Sequence, residues 1–222
     1  MSWWPFRSES KKQDFVEEYL RLFEKPIPGI RKITQLDFVV LDTETTGLDP
    51  KNDYVISFGG IKIQKGKILV ETAIEWYPES PKEGADTAMI HGLVNRENLL
   101  RPKVFSEKLL EYIGPSILVG HHLNFDLEML QKIGSSSGLK NFRNPSLDTL
   151  ELAVRLEHGP HVNWQEIPMK EYSLDALCER YQIPSDDRHT AGGDAFLTAQ
   201  LLLKLLKVAE KKGIVNYQQL FR

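Results

Sequence analysis

Residues 37–42 read DFVVLD, a short and nearly continuous apolar run that passes directly into TETTGLD. A run of this length without alternation predicts a strand covered on both faces, and hence a sheet with helices packed against it. Side chains two apart on a strand share a face, so Asp42 and Glu44 converge at the strand's end. Gly47, in the turn that follows, can let a ligand approach the backbone closely. Acidic pairs on strands are common as solvated surface, but the apolar residues leading into this one set it at the margin of a core.

The remainder continues the βα alternation. Residues 54–77 predict two further strands joined near Lys65-Gly66 as a meander at a sheet edge, and SILVG predicts a fourth strand. Helices are expected over 105–113, over NFDLEMLQKI, over 146–156, over YSLDALCERYQI and over 191–212, with GSSSG at 134–138 as a flexible loop. The fold class is therefore α/β, a mixed sheet flanked by helices. A length of 222 residues suits one domain with extensions. We divide it into a helical N-terminal extension (1–33), a domain (34–212) and a short C-terminal tail (213–222). The extension carries Trp3, Trp4 and Phe6 ahead of a helix over 13–24; this aromatic cluster suits packing back on the domain first, and otherwise contact with a protein partner or a membrane surface.

Composition narrows the function. The chain has one cysteine, so no internal disulfide can form, and a reducing cytoplasm is the expected compartment. No secretory signal or membrane-spanning run is visible. A net charge of −3 supplies no long-range attraction to phosphate, so nucleic-acid binding would have to be local, metal-assisted or partner-assisted. With no P-loop, GxGxxG or zinc-like cluster, nucleotide hydrolysis and hydride transfer are excluded.

Two more acids stand where a site would need them. Asp126, in GHHLNFDLEML, and Asp194, in HTAGGDAF, fall in the first turns of predicted helices, where each alone would pass for a capping residue. Together with Asp42 and Glu44 they make a set of hard oxygen ligands suited to Mg²⁺ or Mn²⁺. Two such ions can stabilise the attacking and leaving oxygens of phosphodiester hydrolysis. His189, on the loop five residues before Asp194, is placed to act as a mobile general base. His158 and His161 read as surface residues.

FVVLDTETTGL, VGHHLNFDLEML and HTAGGDA, in that order, resemble the three motifs of the DEDDh exonucleases, the family of the DnaQ-like epsilon proofreading subunit and ribonuclease T; the resemblance spans roughly residues 36–210. It implies an RNase H-like fold, two metal ions held by Asp42, Glu44, Asp126 and Asp194, and activation of the attacking water by His189. It also implies that Thr45, Leu48, His91 and Phe125 hold the 3′-terminal nucleotide. A sister class has tyrosine four residues before the last aspartate; Thr190 stands there, which favours the histidine class. The sequence departs from the pattern at His122, where the family usually has asparagine. The implied activity is 3′–5′ removal of 5′-mononucleotides, with single-stranded DNA as the expected substrate. RNA trimming on the same fold is the alternative, and a non-catalytic binding module a distant third.

Overall fold

The computed structural model describes residues 12–80, 99–185 and 188–222. The apolar run lies in strand β1 (Phe38–Thr45), whose first four residues are buried and whose last four, from Asp42 on, are half-buried. Phe38 and Val40 point into one core, whereas Val39 and Leu41 point into the other on the opposite face of the sheet. A strand apolar on both faces has to sit between two helical layers, and β1 does.

Strand β2 (Val55–Gln64) runs antiparallel to β1, and β3 (Lys67–Pro78) antiparallel to β2. Lys65 and Gly66 join them with φ of 51° and 70°, the positive values that a two-residue hairpin requires. Strand β4 (Leu99–Leu100) adds a short parallel edge to β3, while β5 (Ile117–Gly120) pairs parallel with β1 and β6 (Ser146–Asp148) parallel with β5. The order is β4-β3-β2-β1-β5-β6. Helices α1 (Asp14–Arg21), α2 (Pro102–Ile113) and α3 (Leu123–Ser135) cover one face. The other is covered by α4 (Thr149–His158), α5 (Leu174–Arg180), α6 (Ala191–Lys211) and the short α7 (Tyr217–Leu220).

Several elements depart from the sequence expectation. Residues 146–148 are strand rather than the start of a helix; the helix begins at Thr149, with Asp148 as its cap accepting from the Leu150 N–H at 2.9 Å. A short apolar run fits either period, and here the open edge of β5 decides. The meander expected at a sheet edge is closed off by β4. Helix α2 starts earlier than expected, with Pro102 in its first turn, where a missing N–H costs nothing. The segment read as a flexible loop is folded against the body: Ser137 is buried, and its carbonyl accepts from the Gln13 N–H at 3.2 Å. Both terminal segments also join the cores. Val16 and Tyr19 of α1 are buried with Val39 and Leu41, and Leu220 is buried against the opposite face. Trp3, Trp4 and Phe6 lie outside the described residues.

The seat of α6 depends on one glycine. Gly59 is the register partner of Asp42, and a Cβ built on it would lie 2.1 Å from the carbonyl carbon and oxygen of Ala191, the first residue of α6. The clash would be with backbone, which cannot rotate aside. Gly59→Ala is therefore expected to lower unfolding stability by about 1 to 3 kcal/mol, the usual cost of overpacking. Gly60→Ala, whose Cβ would meet the side-chain ring of Tyr112 at 2.9 Å, should cost less. Denaturant titration of both variants checks this; an equal or larger loss for Gly60→Ala would contradict the proposed seat.

Candidate active site

The β1 pleat sends Asp42 and Glu44 to the same face as Phe38 and Val40, the face on which α6 lies. Thr190 caps α6 by accepting the Gly193 N–H at 3.0 Å, and Asp194 stands in the first turn. Because Gly59 lets this helix end settle onto β2 beside Asp42, the carboxylates meet. One oxygen from each of Asp42, Glu44 and Asp194 lies within 4.8 Å of the other two. Asp126, the fourth expected ligand, is not part of this group: it stands in the first turn of α3 on the other side of β1, where the Thr43 hydroxyl donates to its Oδ1 at 2.5 Å, and it acts on Asp42 through its charge. The register of β1 and β2 slips between Glu44 and Thr45, and such an irregularity re-aims the strand end that carries the acids.

Burial first, and like charge second, raise the proton affinity of these carboxylates. Burial, reinforced by Asp126, Asp194 and Glu44, pushes the Asp42 carboxyl up to about 9. Burial likewise raises Asp126 to about 7, despite the opposing hydrogen bond from Thr43. Glu44 is raised by burial and by Asp194, with His189 pulling in the opposite direction, so the imidazole lies within electrostatic reach of it. The main counter-charge is Arg188. Its guanidinium forms an ion pair with Asp194 and donates from Nε to Asp175 Oδ1 at 2.6 Å. His189, the next residue, is solvent-exposed and has φ 69°, so the chain turns sharply between anchor and imidazole.

Of the residues expected to hold a nucleotide, Thr45, Leu48 and Phe125 are described. The Thr45 hydroxyl donates to the Gly47 carbonyl at 2.8 Å, and Leu48 is 85% exposed at the tip of the same turn. Phe125 lines a cavity of about 530 Å³ together with His122, Asp148, Trp164 and Met169. His91 lies outside the described residues. His158 bonds to the Tyr172 hydroxyl at 2.8 Å, and His161 lines a separate cavity beside Arg155 and Phe221. His122 occupies the left-handed region at the start of α3 (φ 64°), where asparagine and histidine are both better tolerated than most side chains.

Three further residues shape the site. Thr43 touches Asp126 and Arg188 touches Asp194 directly, and Asp148 ties two helix starts together by accepting from the Leu123 and Leu150 N–H groups, each at 2.9 Å. A threonine between Asp42 and Glu44, a base beside His189 and an aspartate before a helical run were the available sequence signals.

A dense set of carboxylate oxygens with raised proton affinity fits a hard divalent cation, which relieves the repulsion that protons otherwise relieve. The profile of the RNase_T exonuclease family matches residues 39–202. The DNA polymerase III epsilon subunit of Aquifex aeolicus is 33% identical over 193 residues, covering 83% of this chain and 88% of that protein. The PolC-type DNA polymerase III of Thermotoga petrophila is 35% identical over 189 residues, covering 82% of this chain; the match spans only 13% of the polymerase. Among solved structures, E. coli Exonuclease I in complex with a dT13 oligonucleotide superposes with a TM-score of 0.60 at 18% identity, over 81% of this chain and 43% of that one. Exonuclease X in complex with 5′ overhanging duplex DNA superposes with a TM-score of 0.55 at 20% identity, over 83% and 98% respectively. The match over residues 39–202, a range that includes the clustered acids, means that this protein belongs to the RNase_T exonuclease family.

Proposed function

We propose that the protein is a metal-dependent 3′–5′ exonuclease that releases 5′-mononucleotides from the 3′ ends of single-stranded DNA, in proofreading or repair. The observation that carries this reading is the convergence of Asp42, Glu44 and Asp194 within 4.8 Å, with Asp126 joined to the same strand through Thr43. These four would hold the divalent ions, two Mg²⁺ or Mn²⁺ in this reading, whose chemistry is to offset the charge that develops on the phosphate. His189 accepts the proton of the attacking water, and its exposed position lets it reach water and substrate. Glu44 helps to orient that water. Thr45, Leu48, His91 and Phe125 seat the terminal nucleotide. The single-stranded oligonucleotide bound to Exonuclease I supports the choice of substrate. The N-terminal extension is assigned to a protein partner and the compartment to the cytoplasm; no described helix is long and apolar enough to cross a membrane.

The raised carboxyls make the metal-free fold sensitive to pH. Asp42 and Asp126 titrate near 9 and 7 in the folded chain and near 4 when unfolded. Between those values the folded state holds protons that the unfolded state has released. Metal-free stability should therefore fall as pH rises above about 4, Asp126 contributing up to about 7 and Asp42 up to about 9, by at most about 1.4 kcal/mol per pH unit for each proton. Thermal melts after chelation should show the decline between pH 6 and 8.5, with a shallower slope in Asp42→Asn. Saturating Mg²⁺ should raise the melting temperature more at pH 8.5 than at pH 6. An equal gain at both values would contradict cation binding at these carboxylates.

Activity is tested on 5′-labelled linear single strands and on internally labelled closed circles. The wild type with Mg²⁺ should shorten a strand with a free 3′-hydroxyl one nucleotide at a time, and should leave closed circles and 3′-blocked strands intact. His189→Ala should lose on the order of 10² to 10⁴ in turnover while keeping its metal-induced rise in melting temperature. Cleavage of circles would overturn the terminal-nucleotide pocket, near-normal turnover of His189→Ala would remove its role as base, and faster digestion of matched RNA would change the substrate.

A further inference from the structure

Lys132 lies in α3, six residues after Asp126, and its ammonium does not face solvent as a free charge. It donates to three backbone carbonyls of the turn that follows β1: Pro50 at 3.2 Å, Lys51 at 3.1 Å and Asp53 at 2.8 Å. It also stands 4.1 Å from the ring centroid of Tyr54, in a cation–π contact. An ammonium has three N–H donors, and all three are used. The turn is otherwise held by its own short polar contacts. Thr46 Oγ1 donates to Asp53 Oδ1 at 2.8 Å, the Asp49 N–H to Asp53 Oδ2 at 2.9 Å, and the Asn52 amide to Asp49 Oδ2 at 2.6 Å. Gly47 lies so close over this network that a Cβ there would fall 2.5 Å from Asp53 Oδ2. These contacts give the turn its shape, and the Thr46 N–H, donating to the Tyr54 carbonyl at 2.9 Å, closes its stem toward β2; a fixed place against α3 needs a tie across to that helix.

Lys132 supplies that fixed place. Helix α3 carries Phe125 and Asp126 at its start, and the turn carries Leu48 at its exposed tip, so the ammonium ties together the two walls between which a terminal nucleotide would sit. We infer that Lys132 is a positioning residue for the terminal-nucleotide pocket, acting as a built-in cation in a cage of carbonyls that docks the Leu48 turn onto α3. This rests on the exonuclease reading of the same site. Lys132 itself touches neither substrate nor the clustered carboxylates. Its loss is expected to weaken seating of the strand end without altering the chemical step.

The test uses the full chain with Mg²⁺ and a single-stranded oligothymidylate bearing a free 3′-hydroxyl. Lys132→Met keeps the aliphatic stem and removes the donors; it should raise KM by about tenfold with little change in kcat, the signature of lost binding common to ground and transition states. Amide hydrogen exchange should quicken in residues 46–54 and stay unchanged in β1 and α6. In Lys132→Ala, which leaves room in the cage, ammonium chloride should recover part of the lost KM, whereas tetramethylammonium chloride at equal ionic strength, with no N–H to donate, should not. An unchanged KM in a variant whose turn exchanges faster would overturn the inference, as would a loss confined to kcat. Wild-type protein that released no mononucleotides would remove the exonuclease reading alone. The docking role would then be scored by exchange, retained protection of 46–54 in Lys132→Met counting against it and lost protection in its favour.

Discussion

Carboxylates gathered at the end of β1 repel one another, and the surrounding structure is arranged to hold them together in spite of that repulsion. The approach depends on two features with no charge of their own: the pleat of β1, which sets Asp42 and Glu44 on one face, and Gly59, which lets the backbone of α6 press against β2. Compensation comes from polar partners. Asp126 and Asp194 stand at the positive ends of helices, Thr43 donates to Asp126, and Arg188 pairs with Asp194. Burial, reinforced by the neighbouring carboxylates, leaves Asp42 with a high proton affinity. A cluster this costly to assemble suits a member of an exonuclease family, and in the proposed function a divalent cation would replace the protons.

Arg188 and Lys132 are cations placed in complementary ways. Arg188 is aimed into the acid cluster and is shared between Asp194 and Asp175, so it links α6 to α5 and anchors the chain just before His189. Lys132 is aimed away from the cluster and bonds only to backbone oxygens and an aromatic face. One stabilises the charged floor of the site and the other fixes a wall. The net charge of −3 conceals both, because what matters locally is which acceptor each cation faces.

The parts legible in sequence were those whose meaning is local. An unbroken apolar run becomes a central strand, a Lys-Gly pair between two β-like runs becomes a hairpin with positive φ at both positions, and leucines at helical spacing become the buried side of α6. The pairing of Asp42 with Glu44 follows from the period of a strand, whereas Asp126 and Asp194 join them only when all four acids are taken together as residues at strand ends and helix starts, since nothing in their own windows distinguishes a ligand from a cap. The start of 146–156 was misread because three residues cannot show a period, and whether they pair depends on the edge of β5. The partners of Arg188 and Lys132 could not be read: Arg188 had only its place beside His189 to mark it, and Lys132 had nothing. The partners of Lys132 are 79 to 82 residues away, and an arginine or lysine has the same appearance in sequence whether it meets water, carboxylates or a ring of carbonyls. His91 falls outside the described residues.

The most direct test of the account is where a divalent ion goes. Crystals grown with Mn²⁺ and measured at the manganese absorption edge would give anomalous peaks independent of any assumption about ligands. The account predicts peaks bounded by the oxygens of Asp42, Glu44, Asp126 and Asp194. Full occupancy elsewhere on the surface, with these four carboxylates bare and Arg188 still engaged with Asp194, would contradict it.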